Sequence, residues 1–228
     1  MRILFVGNSY TFYNHMPQTL AAIAAAEGMD WVVDSVTKGG WSFAHYINPE
    51  NEMHAPLAKK LAEAWDCILL QEQSLRPVDG WNTFLRTAEA LCEMIHSRPA
   101  KLIYYVTWGR DDANPQLQKM GLSRIEMTEK LYDAYAEAAR RTGGILSDVG
   151  GAFAYTRAHF PHLPLYHTDG SHPSPEGSYL AALIHYHTIT GMLPQKIRCF
   201  PEGMDEAVPE ELLLAVREYL ALTEKESK

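Results

Sequence analysis

A parallel α/β fold, five strands with helices on both faces, is predicted by three observations. Five short runs rich in β-branched and aromatic residues alternate with longer segments whose apolar residues recur at helical spacing. One run, Cys67 to Leu70, is apolar throughout, as in parallel strands that are covered on both faces. No internal repeat or low-complexity linker divides the 228 residues, so one domain is expected over residues 1–228. Strands alternating with helices imply right-handed crossovers, which put helices on the two sides of the sheet.

The elements follow in order. Arg2 to Val6 reads as a strand that stops at Gly7. A helix follows from about Gln18 to Ala26, with Asn14 as its cap, Pro17 in its first turn and Gly28 at its exit. Trp31 to Val36 is the second strand, followed by Gly39-Gly40, a short segment to about Pro49 that the pattern leaves unassigned, and a helix over roughly Ala55 to Ala64. Cys67 to Leu70 is the third strand and Asn82 to His96 its helix. Lys101 to Val106 is the fourth strand, Leu122 to Thr142 a long helix, and Ile145 to Val149 the fifth strand. The His- and Pro-rich stretch from His159 to Pro175 reads as irregular, and helices are expected over Glu176 to Thr190 and Pro209 to Leu222. Strand order is left open by this pattern.

Composition removes several function classes. With 46% hydrophobic and 21% charged residues the chain is neither disordered, collagenous nor coiled-coil in type. Its 20 Lys and Arg against 28 Asp and Glu give a net charge of -8, which repels phosphate backbones and anionic lipid, so neither nucleic acid nor membrane is expected as a partner. Cys67, Cys92 and Cys199 are odd in number and lack metal-ligand spacing. The apolar run Ile3 to Val6 is too short for a secretory signal, and no run approaches the roughly 18 residues of a membrane span. A cytoplasmic protein with reduced thiols is the expectation.

In open parallel sheets the ligand crevice lies beyond the carboxyl ends of the strands. There the sequence places Asn8-Ser9-Tyr10, Gly39-Gly40-Trp41, Gln71-Glu72-Gln73-Ser74 and Trp108-Gly109-Arg110, with Asp169-Gly170-Ser171-His172 before a later helix. This supplies the groups that serine acyl transfer needs. A serine hydroxyl is nearly inert at neutral pH, so Ser9 requires a base, and His172 is the natural candidate. Asp169 can fold back through the Gly170-Ser171 turn to hold the other imidazole nitrogen. Ser174 and Pro175 look like a cap and first residue of a helix, which puts His172 near a helix N-terminus. The Ser9 backbone N–H, the Gly40 N–H and the Gln73 side-chain amide are the candidate oxyanion donors. Trp41 and Trp108 could stack on a sugar, and Tyr10 and Arg110 are further candidate substrate contacts. Trp31 and Trp65 precede strands and read as packing.

These residues resemble the SGNH (GDSL-type) hydrolases, whose pattern is an early Gly-Asp-Ser block, a lone oxyanion glycine, a Gly-x-Asn-Asp block and a late Asp-x-x-His. The match runs from Gly7 to His172, with Ser9 at the nucleophile position, Gly40 at the glycine block, and Asp169 with His172 as the last block. Two departures stand out: Asn8 replaces the aspartate, and Gln71-Glu72-Gln73-Ser74 replaces Gly-x-Asn-Asp, so Gln73 stands for asparagine. The resemblance implies a flavodoxin-like three-layer αβα fold and ester hydrolysis, often of acetyl esters on sugars, with no metal or organic cofactor.

The expected activity is therefore a serine esterase acting on small-molecule or oligosaccharide esters. The same residues would serve an acyltransferase, and a chain that had lost its oxyanion hole through Gln71 to Ser74 would be a carbohydrate-binding module. A metal site among His159, His162, His167, His172, His185 and His187 is disfavoured by their irregular spacing and by Pro161 and Pro164. Ser35-Val36-Thr37-Lys38 matches Ser-x-x-Lys only superficially, since its serine falls inside a strand. A receiver-like phosphoacceptor domain would need an aspartate where Gln71 stands.

Overall fold

The computed structural model describes residues 1–95, 100–195, 197, 199–201 and 203–226. The chain opens with β1 (Arg2–Gly7), a single turn α1 (Ser9–Phe12), a 3-10 turn (Tyr13–His15) and α2 (Met16–Ala26). There follow β2 (Val32–Thr37), α3 (Phe43–Ile47), α4 (His54–Leu61), β3 (Cys67–Leu70), α5 (Arg76–Asp79) and α6 (Trp81–Glu93). The expected end of this last helix at His96 lies outside the described residues. Next come β4 (Lys101–Val106), α7 (Pro115–Met120), α8 (Arg124–Thr142), β5 (Ile145–Asp148), α9 (Val149–His159), α10 (Pro175–Thr190) and α11 (Val208–Glu226).

The five strands form one all-parallel sheet in the order β2-β1-β3-β4-β5. Strand residues alternate between two apolar layers. Ile3, Phe5, Leu69, Ile103 and Tyr105 pack with α2, α9, α10 and α11, whereas Leu4, Val6, Leu70, Tyr104 and Val106 pack with α3, α4, α6 and α8. This is the flavodoxin-like three-layer arrangement. The connection from β1 leaves on one face and that from β3 on the other, so a crevice opens between their carboxyl ends. No described helix is long and apolar enough to cross a membrane.

Local chemistry explains the main helices. Ser123 and Glu126 form a reciprocal capping box at the start of α8, and Gly143, at φ 72°, ends it. Ser174 caps α10 by accepting from the Gly177 N–H, Pro175 takes the first turn, and Gly191 ends the helix at φ 75°. Trp65 is buried, with Arg2 4.4 Å above its ring, and Trp31 packs partly buried against Tyr186.

Two expectations at this level are corrected and one segment left unassigned is filled. Asn14 is not a helix cap: it lies in the left-handed region at φ 52°, and its amide bonds a distant segment instead. The short segment after Gly40 that the sequence pattern left unassigned contains α3, started by Ser42 as N-cap with the His45 side chain reaching back to it. Val149, expected to end the fifth strand, instead opens α9, which follows β5 without a loop. Gly150 and Gly151 in its first turn depress helix propensity, but Asp148 caps it, accepting from the Gly151 N–H at 2.9 Å, and Ala152 and Phe153 are buried against the sheet.

Candidate active site

β1 ends at Gly7, where an added Cβ would run into the side chains of Thr11 and Gln71, so only glycine lets these two approach. Asn8 then caps α1, its Oδ1 accepting from the Tyr10 N–H at 3.1 Å. Ser9 is the first residue of that turn, and its backbone N–H belongs to the group of helix-start donors without an intrahelical acceptor. The departure from aspartate at position 8 has a use. Asn8 Nδ2 donates to the Trp41 carbonyl at 2.8 Å, a bond that a carboxylate could not make.

Ser9, 8% exposed, places Oγ 2.9 Å from His172 Nε2. On the other side of the ring, Nδ1 lies 2.5 Å from Asp169 Oδ2. A carboxylate can only accept, so Nδ1 carries the proton and Nε2 is left to accept from the serine hydroxyl. Asp169 Oδ1 also accepts the Ser171 and His172 backbone N–H groups, each at 2.9 Å. Burial works to raise the Asp169 carboxyl, but the His172 bond and these backbone N–H groups outweigh it and hold it below its usual value. Gly170 makes the intervening turn at φ 63°, and Asn114 Nδ2 anchors the Asp169 carbonyl at 2.9 Å.

Tyr13, a residue not singled out from sequence, stacks on the His172 ring with centroids 4.4 Å apart. It is presented by a strained turn, because Asn14 and His15 both hold left-handed backbone at φ 52° and 54°. The Asn14 amide compensates by donating to the Pro173 carbonyl at 3.0 Å and Ser178 Oγ at 2.8 Å, which ties the Ser9 segment to the His172 segment.

The remaining predicted residues divide. Gly40 occupies the third position of a turn closed by Trp41 N–H to the Lys38 carbonyl at 3.2 Å, with φ 73°. Its glycine is demanded by that dihedral, not by crowding, since an added Cβ would meet nothing within 4 Å. Gln73 Oε1 accepts from the Leu75 N–H at 2.9 Å, which turns its Nε2 donors away from that loop. Trp41 is half-buried beside Asn8.

Three substrate-contact candidates are corrected. Trp108 is fully buried, stacked between Tyr10 and Phe153 at 4.8 and 4.0 Å, and its Nε1 donates to the Ser171 carbonyl. It therefore cannot stack on a sugar. Tyr10 is also buried, its hydroxyl 2.6 Å from Ser171 Oγ, and burial raises its pKa. Both support the His172 turn from below. Arg110 is 7% exposed, and its guanidinium is taken up by Ser74 Oγ at 3.1 Å and the Gln116 side chain instead of facing open solvent.

Sequence reasoning also passed over Gln71 and Glu72 as site residues. Gln71 Oε1 accepts from the Asn8 N–H at 2.8 Å and from Thr11 Oγ1 at 3.0 Å. Glu72 is 1% exposed, and burial pushes its carboxyl up to about 8. Two amide and acid side chains directly after an all-apolar strand were a usable signal, since buried polar groups must find partners. Nothing in the sequence marked Tyr13. Beside Asp169 a cleft of about 600 Å³ opens, lined among others by Asp111, Arg157, His167 and Thr168. Among the described residues no group of His, Cys, Asp or Glu side chains is arranged to hold a metal ion.

No family model matches the chain, and no curated protein does. Among solved structures, it is similar to a protein of Slackia heliotrinireducens assigned to the SGNH hydrolases, 35% identical over 83% of this chain and 98% of that one, with a TM-score of 0.71. A DUF4886 family protein of Bacteroides uniformis shares the fold at 20% identity over 97% and 95% of the two chains, TM-score 0.81. Axe2, an acetylxylan esterase of Geobacillus stearothermophilus, does so at 14% identity over 86% and 97%, TM-score 0.63. At 35% identity across 83% of its length and nearly the whole of the Slackia protein, on a parallel sheet, the chain belongs to the SGNH hydrolases.

Proposed function

We propose that the chain is a serine ester hydrolase that removes small acyl groups, acetyl first, from carbohydrate-like alcohols. The observation that carries this reading is the hydrogen-bonded series Ser9 Oγ, His172 Nε2, His172 Nδ1 and Asp169 Oδ2, at 2.9 and 2.5 Å. Ser9 Oγ attacks the ester carbonyl as His172 Nε2 takes its proton. The oxyanion of the tetrahedral adduct receives hydrogen bonds from the Ser9 N–H, the Gly40 N–H and Gln73 Nε2. The adduct collapses when His172 returns the proton to the departing alcohol, leaving an acyl group on Ser9. Water then attacks that acyl carbonyl, giving its proton to His172, and the carboxylic acid leaves as Ser9 recovers its hydrogen. Asp169 holds the imidazole in the productive tautomer and stabilises the imidazolium in both halves.

The acetyl-sugar preference is supported by the fold shared with the acetylxylan esterase Axe2 and by Trp41, whose carbonyl is held by Asn8 of the nucleophile loop and whose half-buried ring packs against His45 and Tyr46. Trp108 lends it no support. The test is a panel of p-nitrophenyl esters from C2 to C8 with acetylated xylan and pectin fragments, run on the native chain beside Ser9→Ala. Acetate release from the sugars without an added acceptor, lost in the variant, is expected. A folded native protein whose Ser9 takes no fluorophosphonate label sinks the esterase reading, and turnover only with an alcohol acceptor present replaces it by acyl transfer.

A further inference from the structure

The three loops that carry the nucleophile and the two other candidate oxyanion donors are cross-braced by buried side chains. Asn8 ties the β1 loop to the β2 loop at Trp41, and Gln71 ties the β1 loop to the β3 loop at Asn8 and Thr11. The third side of this triangle, between the β2 and β3 loops, is made by Glu72. Both of its carboxyl oxygens lie 3.1 Å from the Phe43 N–H, the first donor of α3, and Oε1 accepts the Gln73 N–H at 2.5 Å. Phe43 lies three residues beyond Gly40, and Gln73 is itself the third donor. The Glu72 backbone N–H is in turn fixed on the Tyr135 hydroxyl at 3.0 Å.

No cation lies within ion-pair distance of Glu72 among the described residues, so charge pairing does not account for a carboxyl buried in this place. Its oxygens are used instead as a short bridge between two backbone N–H groups on different loops. Oxyanion donors act by being fixed before charge develops, and a misplacement of about 1 Å can cost on the order of a hundredfold in rate. We propose that Glu72 is a positioning residue for the oxyanion hole, holding the Gly40 loop at a set distance from Gln73. This rests on the reading of Ser9 as nucleophile with Gly40 and Gln73 as donors.

The groups facing the carboxyl are Tyr46 from α3, Arg76 from α5 and Tyr135 from α8. Both tyrosines are pushed far above their usual range by burial, so between pH 6 and 10 the Glu72 carboxyl is the group in this cluster that changes charge. A negative charge here opposes the negative charge forming in the hole, so kcat should fall as pH rises through about 8.

The test measures kcat and KM on p-nitrophenyl acetate for the native chain, Glu72→Ala and Glu72→Gln, after confirming that the native Ser9 takes fluorophosphonate. Loss of the bridge should lower kcat of Glu72→Ala about tenfold or more while KM stays within about threefold. Glutamine keeps one carbonyl oxygen for both N–H groups, so Glu72→Gln should recover kcat to at least about a third of native and lose the alkaline fall. Should the alanine variant not fold, Glu72→Asp, which withdraws the oxygens by one methylene, is read by the same kcat criterion. A folded Glu72→Ala or Glu72→Asp with kcat within about twofold of native, or a folded Glu72→Gln as slow as the alanine variant, overturns the proposal whatever happens to thermal stability. A native protein that takes no label overturns the esterase reading instead.

Discussion

The two halves of the site are built on different principles. On one side, Asp169 and His172 are three residues apart, and a single glycine turn brings carboxylate and imidazole together at 2.5 Å. On the other, the proposed oxyanion side is assembled from loops whose bridging bonds span 29 to 63 residues, and its geometry depends on Asn8, Gln71 and Glu72 reaching backbone groups of neighbouring loops. The local half keeps the family pattern in this chain, and the distributed half departs from it. A constellation set by one turn leaves little room for other residues, whereas a hole made of backbone donors can be held in place by any side chains that satisfy the same N–H and C=O groups.

The comparison can be broken most directly at the nucleophile. Ser9→Ala should reduce ester hydrolysis at least about a thousandfold, and adding His172→Ala should cost little more, because the pair acts as a unit. Stopped-flow or end-point release of p-nitrophenol checks both, and additive losses would separate the two residues. Asp169→Asn comes next. An amide that keeps the turn but offers Nδ1 the wrong partner should lower kcat by roughly a thousandfold or more with KM little changed, which steady-state kinetics will show.

The distributed half should be softer. Gln73→Ala removes one of the three proposed donors and should cost about a hundredfold in kcat, with Gln73→Asn between this and native. If Gln73→Ala is as active as the native chain, the hole consists of the two backbone donors alone. The smallest effect concerns stability. The Glu72 carboxyl is raised in the fold from an ordinary 4.5 to about 8, so the folded state holds this proton more tightly than the unfolded chain. That contribution is complete below pH 4.5 and is lost as pH rises through about 8. Denaturant titrations should therefore show the native chain losing stability relative to Glu72→Gln between pH 5 and 8, by on the order of 1 kcal/mol per pH unit at most. Parallel curves would mean that the carboxyl does not titrate in that window.

The same division decided what could be read from sequence. The sheet was legible because apolar runs such as Cys67–Leu70 announce buried parallel strands, and the positions just after them announce a crevice. Ser9, Asp169 and His172 followed from those positions and from short spacing. Trp108 was misjudged because lying after a strand end places the backbone at the rim but leaves the direction of the ring unspecified. Here it turns inward onto Phe153, and its N–H finds the Ser171 carbonyl. The bonds of Gln71 and Glu72 were hidden for another reason: their partners Asn8 and Phe43 are 63 and 29 residues away, and neither the bonds nor the loop spacing leaves a local pattern. The segment of α9 was left unassigned by the sequence pattern; the poor helix propensity of its Gly150 and Gly151 is overridden by packing on the sheet.

The Ser9–His172 contact spans 163 positions of the chain. At ribosomal speeds of roughly 5 to 20 residues per second, the hydroxyl of Ser9 leaves the synthesis machinery on the order of ten seconds before its base exists. Until then it is an ordinary alcohol on a capped turn. On the proposed reading the hydrolase is thus switched on only once His172 has been made, and a chain released before then carries Ser9 with no base to activate it.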